Sequence, residues 1–247
     1  MLNIKHEMRF YMNSAIQTIT LSNLAIALLP GAIVIGILYK WSLDYRHAIY
    51  AFFRMIAQLL IIGHVLVFIF NVKNSWLILC ILTAMIIVSS WIALGSIKGN
   101  RKKLYIRSLV SLLTGGGFVL ILIIKFVLQL TPWYTPQYII PLAGMIFANS
   151  MNSISLAAER FQSELEQNKP FKEARGIAFR ASLIPITNAL FAVGLVSLPG
   201  MMTGQILSGI SPFIAARYQI MVMCMIYGSA GISSACFLST ADNMSKM

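Results

Sequence analysis

Seven runs of about twenty apolar residues, none holding an aspartate or glutamate, limit this chain more than any other feature. They cover approximately Leu21–Tyr39, Ala48–Phe70, Trp76–Gly95, Ile106–Leu130, Tyr138–Ala158, Ser182–Gly204 and Ile214–Leu238. At a rise of about 1.5 Å per residue, such a run matches the ~30 Å hydrocarbon core of a bilayer. Backbone groups in hydrocarbon must be bonded within the segment, and no alternating ten-residue barrel pattern occurs. The expected class is therefore all-α: a polytopic membrane protein of about seven transmembrane helices in one domain, 1–247. Composition agrees, because 58% of the 247 residues are apolar and 11% are charged. An average soluble protein carries about 25% charged residues. Seven acidic side chains cannot solvate a soluble enzyme of this size.

The first run starts late, is long and lacks a small-x-small cleavage site, so it reads as a span and not a cleaved signal peptide. The sixth is interrupted near its end by Pro199-Gly200. Cys80, Cys224 and Cys236 lie inside apolar runs without metal-type spacing and read as packing residues.

A net charge of +12 would suggest nucleic acid as partner in a soluble domain. Here it marks cytoplasmic loops, and no nucleic-acid partner is expected. One set of loops carries Lys40, Arg46, Lys98, Arg101, Lys102, Lys103, Arg107, Arg160, Lys169, Lys172, Arg175, Arg180 and Lys246. The opposite set carries only Lys5, Arg9 and Lys73, while Arg54, Lys125 and Arg217 fall within spans. This asymmetry predicts an outer N-terminus and a cytosolic C-terminus, and the expected localisation is the cell inner membrane.

Several chemistries are missing. No paired carboxylates lie in the spans, and His6, His47 and His64 are too scattered for a metal site on one helix face. Gly115-Gly116-Gly117 falls in mid-membrane, and no G-x-x-x-x-G-K-[ST] occurs, so the usual phosphate-binding loop for ATP is absent. No nucleophile–base pair sits at matching depth. An enzyme is not expected, and neither is a cofactor in this chain.

A polar layer remains inside the spans. Arg54, Gln58, Asn149, Asn152 and Asn188 fall at comparable depths toward the cytosolic side, and Asn149 and Asn152 share a helix face. They read either as a polar pathway or as interhelical hydrogen bonding. In the outer half, Met145, Met201, Met202 and Met221 are soft donors suited to Cu(I) or are packing filler. The longest hydrophilic stretch, 159–181, predicts a short helix in AERFQSELEQ, a break at Asn168-Lys169-Pro170, and a short amphipathic helix at Phe171–Arg175. Such an element fits a groove on a cytosolic partner.

The strings YIIPLAGMIFANSMNSISLA (138–157), KPFKEA (169–174), SLIPITNALFAVGLVSLPGMMTGQILSGISP (182–212) and ARYQIMVM (216–223) resemble the FetB-type permeases of the UPF0014 family. FFRMIAQLLIIGHVLVFIF at 52–70 fits the same family. The resemblance implies an ABC exporter permease linked to iron export, with ATP hydrolysed by a separate cytosolic subunit. It also implies two permease chains with two ATPase chains, and plant relatives with roles in aluminium tolerance and a nucleotide sugar proposed as cargo. Pro170, Phe171, Lys172, Glu173, Ala174 and Arg175 would then couple to the ATPase, with Pro199 and Gly200 as the hinge. The chain departs from the family pattern in two places. Asn188 and Phe191 stand where an acidic residue and a lysine are common, and Asn-Lys-Pro-Phe at 168–171 replaces Gly-Ala-Thr-Pro. The first removes a hard-cation ligand. An organic or nucleotide-sugar cargo is thus the alternative to a metal ion, and a non-transporting scaffold that recruits an ATPase is a third reading.

Overall fold

The computed structural model describes residues 19–71, 74–95, 97 and 101–240, apart from the side chain of Lys103. Lys5, His6, Arg9, Lys73, Lys98 and Lys246 lie outside the described residues. The described helices group into two compact units.

The first unit contains α1 (Leu21–Ala27), α2 (Leu29–Lys40) and α3 (Tyr45–Asn71). Thr20 caps α1 by accepting a hydrogen bond from the Asn23 N–H at 3.4 Å, and Pro30 opens α2 where a missing N–H costs nothing. α2 ends in a left-handed Ser42 (φ 57°), with the Leu43 N–H donating to the Leu38 carbonyl at 2.9 Å. Asp44 then caps α3 through the His47 N–H. Gly31 admits the Phe52 ring, which approaches to 2.5 Å of where a Cβ would stand. No side chain of these three helices is buried.

The second unit holds α4 (Ser75–Ala93), α5 (101–127), α6 (Pro136–Glu166), α7 (Phe171–Ala192), α8 (Gly200–Leu207) and α9 (Pro212–Ser239), except that Leu207–Gly209 group with the first unit. α5 is composite: helical turns alternate with π segments at Leu112–Gly117 and Ile123–Val127. The core runs between α6 and α9, where Phe147, Phe161, Met225 and Phe237 are almost fully buried. Much of the interface is small: Ala143, Ser150, Ala157 and Ala158 on α6 meet a unit in which α9 contributes Ser229, Ala230, Ser233 and Ser234. Lipid tails are as apolar as leucine, so helices in a bilayer associate by close backbone approach and not by hydrophobic exclusion. At Gly115 this approach is tightest, since a Cβ would meet Ser233 Oγ at 2.3 Å.

Among the described residues six helical segments are long and apolar enough to cross a membrane: Leu21–Lys40 (α1 with α2), Tyr45–Asn71, Ser75–Ala93, Leu104–Val127, Pro136–Glu166 and Pro212–Ser239. Among the described residues there is no strand, and the fold is that of an all-α polytopic membrane protein. The run expected to span from Ser182 to Gly204 is not one helix. α7 stops at Ala192, and Gly194 turns the chain with φ 84°. Val193 and Ser197 bridge before α8 begins. A left-handed glycine followed by Pro199 cannot continue a helix.

Candidate functional site

The 159–181 stretch is built differently from the sequence expectation. AERFQSELEQ is no separate helix, because α6 continues without a break to Glu166. Phe171–Arg175 is no separate helix either; it forms the first turns of the 22-residue α7. The two short helices were read from a charged pattern, but helices already stabilised by packing in the membrane extend past it. α6 has 31 residues, so at 1.5 Å each it measures about 46 Å, some 16 Å more than the hydrocarbon core. All the charged residues of α6 fall in its last turns, Glu159–Glu166, so that end and the charged start of α7 form the helical hairpin expected outside the hydrocarbon.

The hairpin turn has a definite chemistry. Asn168 takes the left-handed conformation (φ 58°) and its N–H donates to the Leu165 carbonyl at 2.9 Å. The Lys169 N–H reaches back to the Glu164 carbonyl at 3.2 Å, which completes a Schellman closure of α6. Pro170 follows as the cap of α7, its carbonyl accepting from the Ala174 N–H at 3.0 Å. Asparagine tolerates the left-handed region and proline stops the preceding helix, so four residues suffice to reverse the chain.

Under that turn lies Glu164, with no exposed surface. One carboxylate oxygen sits 2.5 Å from Arg160 Nη2, one turn back on α6, and the other 2.5 Å from Lys169 Nζ in the turn itself. A buried carboxylate is tolerated only when paired and hydrogen-bonded, and here both oxygens are engaged. Beside it, Phe161 of α6 packs edge-on against Phe171 of α7, with ring centroids 5.4 Å apart. The Arg175 guanidinium lies 5.6 Å from the Phe171 ring centre. Ala174 and Ala178 are buried against α6, and Ser153 Oγ donates to the Ser182 carbonyl at 3.2 Å further along the pair. Lys172, Glu173, Glu159 and Glu166 remain exposed on the outside of the tip. Glu164 was absent from the sequence candidates. The available signal was an acid spaced four residues from Arg160 in a chain with only seven acids.

The polar residues divide. Ser182 faces Ser153 across the antiparallel pair, so Asn188, six residues on, falls at the level of Asn149 within about 3 Å. Asn149 is half-buried and donates to the Met145 carbonyl of its own helix at 2.8 Å, whereas Asn152 and Asn188 are exposed. Arg54 and Gln58 lie one turn apart on α3, both exposed, in the other unit. Met145 on α6 and Met221 on α9 are half-buried on helices packed against each other. Met201 and Met202 sit on α8, which has no extended packing face with another described element. No group of three or more His, Cys, Asp or Glu side chains converges among the described residues. Cys80 and Cys224 are exposed, not packed, and Cys236 is half-buried.

The expected hinge is also rearranged. Pro199 precedes α8 and its carbonyl accepts from the Thr203 N–H at 3.0 Å, so Pro199 and Gly200 start a helix instead of bending one. The prolines inside helices are Pro141 in α6 and Pro185 in α7, each removing one backbone donor.

The chain matches the uncharacterised protein family UPF0014 over residues 21–175 and 169–244. It is 37% identical over 202 residues to the UPF0014 membrane protein slr1647 of Synechocystis, covering 76% of this chain and 78% of that one. Identity is 34% over 246 residues to the probable iron export permease protein FetB of Escherichia coli, covering 92% and 93%. It is 34% over 228 residues to the protein ALUMINUM SENSITIVE 3 of Arabidopsis thaliana, covering 83% and 82%. No solved structure matches. Long apolar helices, a projecting hairpin and matches over nearly the whole length agree: the chain belongs to the UPF0014 family of multi-pass membrane proteins.

Proposed function

We propose that this chain is the membrane-spanning subunit of an ABC exporter in the cell inner membrane, moving iron or another metal ion outward. A separate cytosolic ATPase binds and hydrolyses ATP, and two copies of each subunit form the transporter. The observation that carries this reading is the α6–α7 hairpin tip, braced by buried Glu164 and continuing the helix for Glu159–Glu166, about 12 Å, beyond its apolar run. A force applied to Pro170–Arg175 passes directly into two long helices, because the turn between them is closed by backbone bonds and two ion pairs. Those helices carry Asn149, Asn152 and Asn188, so motion of the tip changes the exposure of a polar band in the membrane.

Supporting the metal cargo is the similarity to the probable iron export permease protein of Escherichia coli. The absence of convergent acidic, His or Cys side chains among the described residues favours the second reading, an anionic or neutral organic cargo held by amides. Cellular iron and manganese, measured by mass spectrometry with each subunit present or absent, separate the two. Iron falling only when both subunits are expressed supports metal export. Unchanged metal alongside ATP hydrolysis by the purified pair refutes it and points to organic solutes. In the same purified pair, Phe171→Ala and Glu173→Lys should abolish permease-dependent stimulation of ATP hydrolysis; unaltered stimulation in both would remove the hairpin from the coupling role.

A further inference from the structure

A crevice of about 260 Å³ opens in the second unit, between α4 and α5. Leu79, Leu82 and Ile86 form one wall and Leu113, Leu120 and Ile124 the other, with Phe147 of α6 behind them. The lining is almost wholly apolar except at one end, where Lys125 and Trp133 meet it. Both π segments of α5 contribute, through Leu113 and Gly117 from the first and Ile124 and Lys125 from the second. Gly117 leaves the crevice open, since a Cβ there would meet only Leu113 Cδ1 at 3.8 Å.

Among the described residues no acidic side chain pairs with the charge at the end of this crevice. α4 and α5 contain no acidic residue, and the ion pairs among the described residues are both made by Glu164. Lys125 lies two residues before the end of the second π segment, and Trp133 follows in the connection to α6. That is the depth at which lysines extend their ammonium to the headgroup layer and indoles partition to the interface. From Lys125 the crevice runs inward to Leu113, twelve residues or about 18 Å toward mid-membrane.

A long apolar slot that starts at one unpaired cation is complementary to a molecule with an anionic head and a hydrocarbon tail. We infer that the α4–α5 crevice is a binding site for an anionic phospholipid, its acyl chain along Leu79–Ile86 and Leu113–Ile124 and its phosphate paired with Lys125. The inference does not depend on the transport reading. A single ammonium–phosphate pair at the membrane interface contributes up to about 1 kcal/mol, which is up to about fivefold in binding.

The full-length chain in detergent, stripped of lipid, would be titrated with phosphatidylglycerol, phosphatidylcholine or inorganic phosphate and read by native mass spectrometry. Phosphatidylglycerol should bind up to about fivefold more tightly than phosphatidylcholine, Lys125→Gln should erase that preference, and Lys125→Arg should restore it. Gly117→Leu, which fills the slot but keeps the charge, should weaken both lipids, and thermal melting shows whether it folds. Equal binding of the two lipids by the wild-type chain, or a preference that survives Lys125→Gln, overturns the proposal. Lys125-dependent binding of phosphate alone, with no gain from the acyl chain, overturns it equally.

Discussion

Gly115→Ala should destabilise the protein, although alanine is the better helix former. A Cβ at this position would lie 2.3 Å from Ser233 Oγ, 2.6 Å from its N and 2.8 Å from its Cα. Rotating the hydroxyl relieves only the first contact, so α5 and α9 must separate. Overpacking of this kind costs about 1–3 kcal/mol, and a backbone clash belongs at the upper end. Replacing glycine returns about 1 kcal/mol of helix propensity, which leaves a net loss of about 2 kcal/mol. For a chain of this length each kcal/mol shifts the melting temperature by about 2–4 °C, so the drop should be about 4–8 °C. The matched control is Gly176→Ala on the exposed side of α7, where a Cβ meets nothing within 4 Å. It should raise the melting temperature by up to about 2–4 °C. Both can be read by heating the detergent-solubilised protein and measuring what survives size-exclusion chromatography. Adding Ser233→Gly to Gly115→Ala should recover only part of the loss, because the two backbone contacts remain. A Gly115→Ala protein that melts with the wild type would refute the close α5–α9 approach.

The hairpin yields further expectations. Glu164→Gln leaves Arg160 and Lys169 without the carboxylate they share, so permease-dependent ATP hydrolysis should fall more than membrane insertion, which a paired activity and expression measurement checks. Asn168→Val forces a β-branched residue to φ 58° and should cost about 1–2 kcal/mol in thermal stability, while Asn168→Gly should cost little. Phe161→Ala empties a fully buried site against Phe171 and should cost about 3–5 kcal/mol in a detergent melt. Ser153→Ala removes one hydrogen bond to Ser182 in the membrane and should cost only about 0.6 kcal/mol by the same assay.

Class and helix positions are written in the order of residues. In hydrocarbon each segment must satisfy its own backbone, so a run such as Trp76–Gly95 becomes α4 whatever its neighbours are. Charge confinement to loops is equally local, and it marked 159–181 as the water-exposed stretch. Asn168 and Pro170 likewise announced a turn, which the structure forms between Glu166 at the end of α6 and Phe171 at the start of α7.

Tertiary structure decided the rest. Where the sixth run ends depends on Gly194 reversing the chain, although Pro199 was the more conspicuous breaker. Whether Phe171–Arg175 stands alone depends on packing of Ala174, Ala178 and Ser182 against α6, which carries α7 unbroken into the membrane. Asn149 points to its own Met145 carbonyl, a choice of rotamer that no spacing rule contains. Glu164 is the clearest case. Its burial requires the left-handed Asn168 to bring Lys169 back over the helix end, while Arg160 arrives from one turn below. Period and charge depend on a residue's near neighbours in the chain, but a buried carboxylate is held by partners that only the closed turn brings within bonding distance.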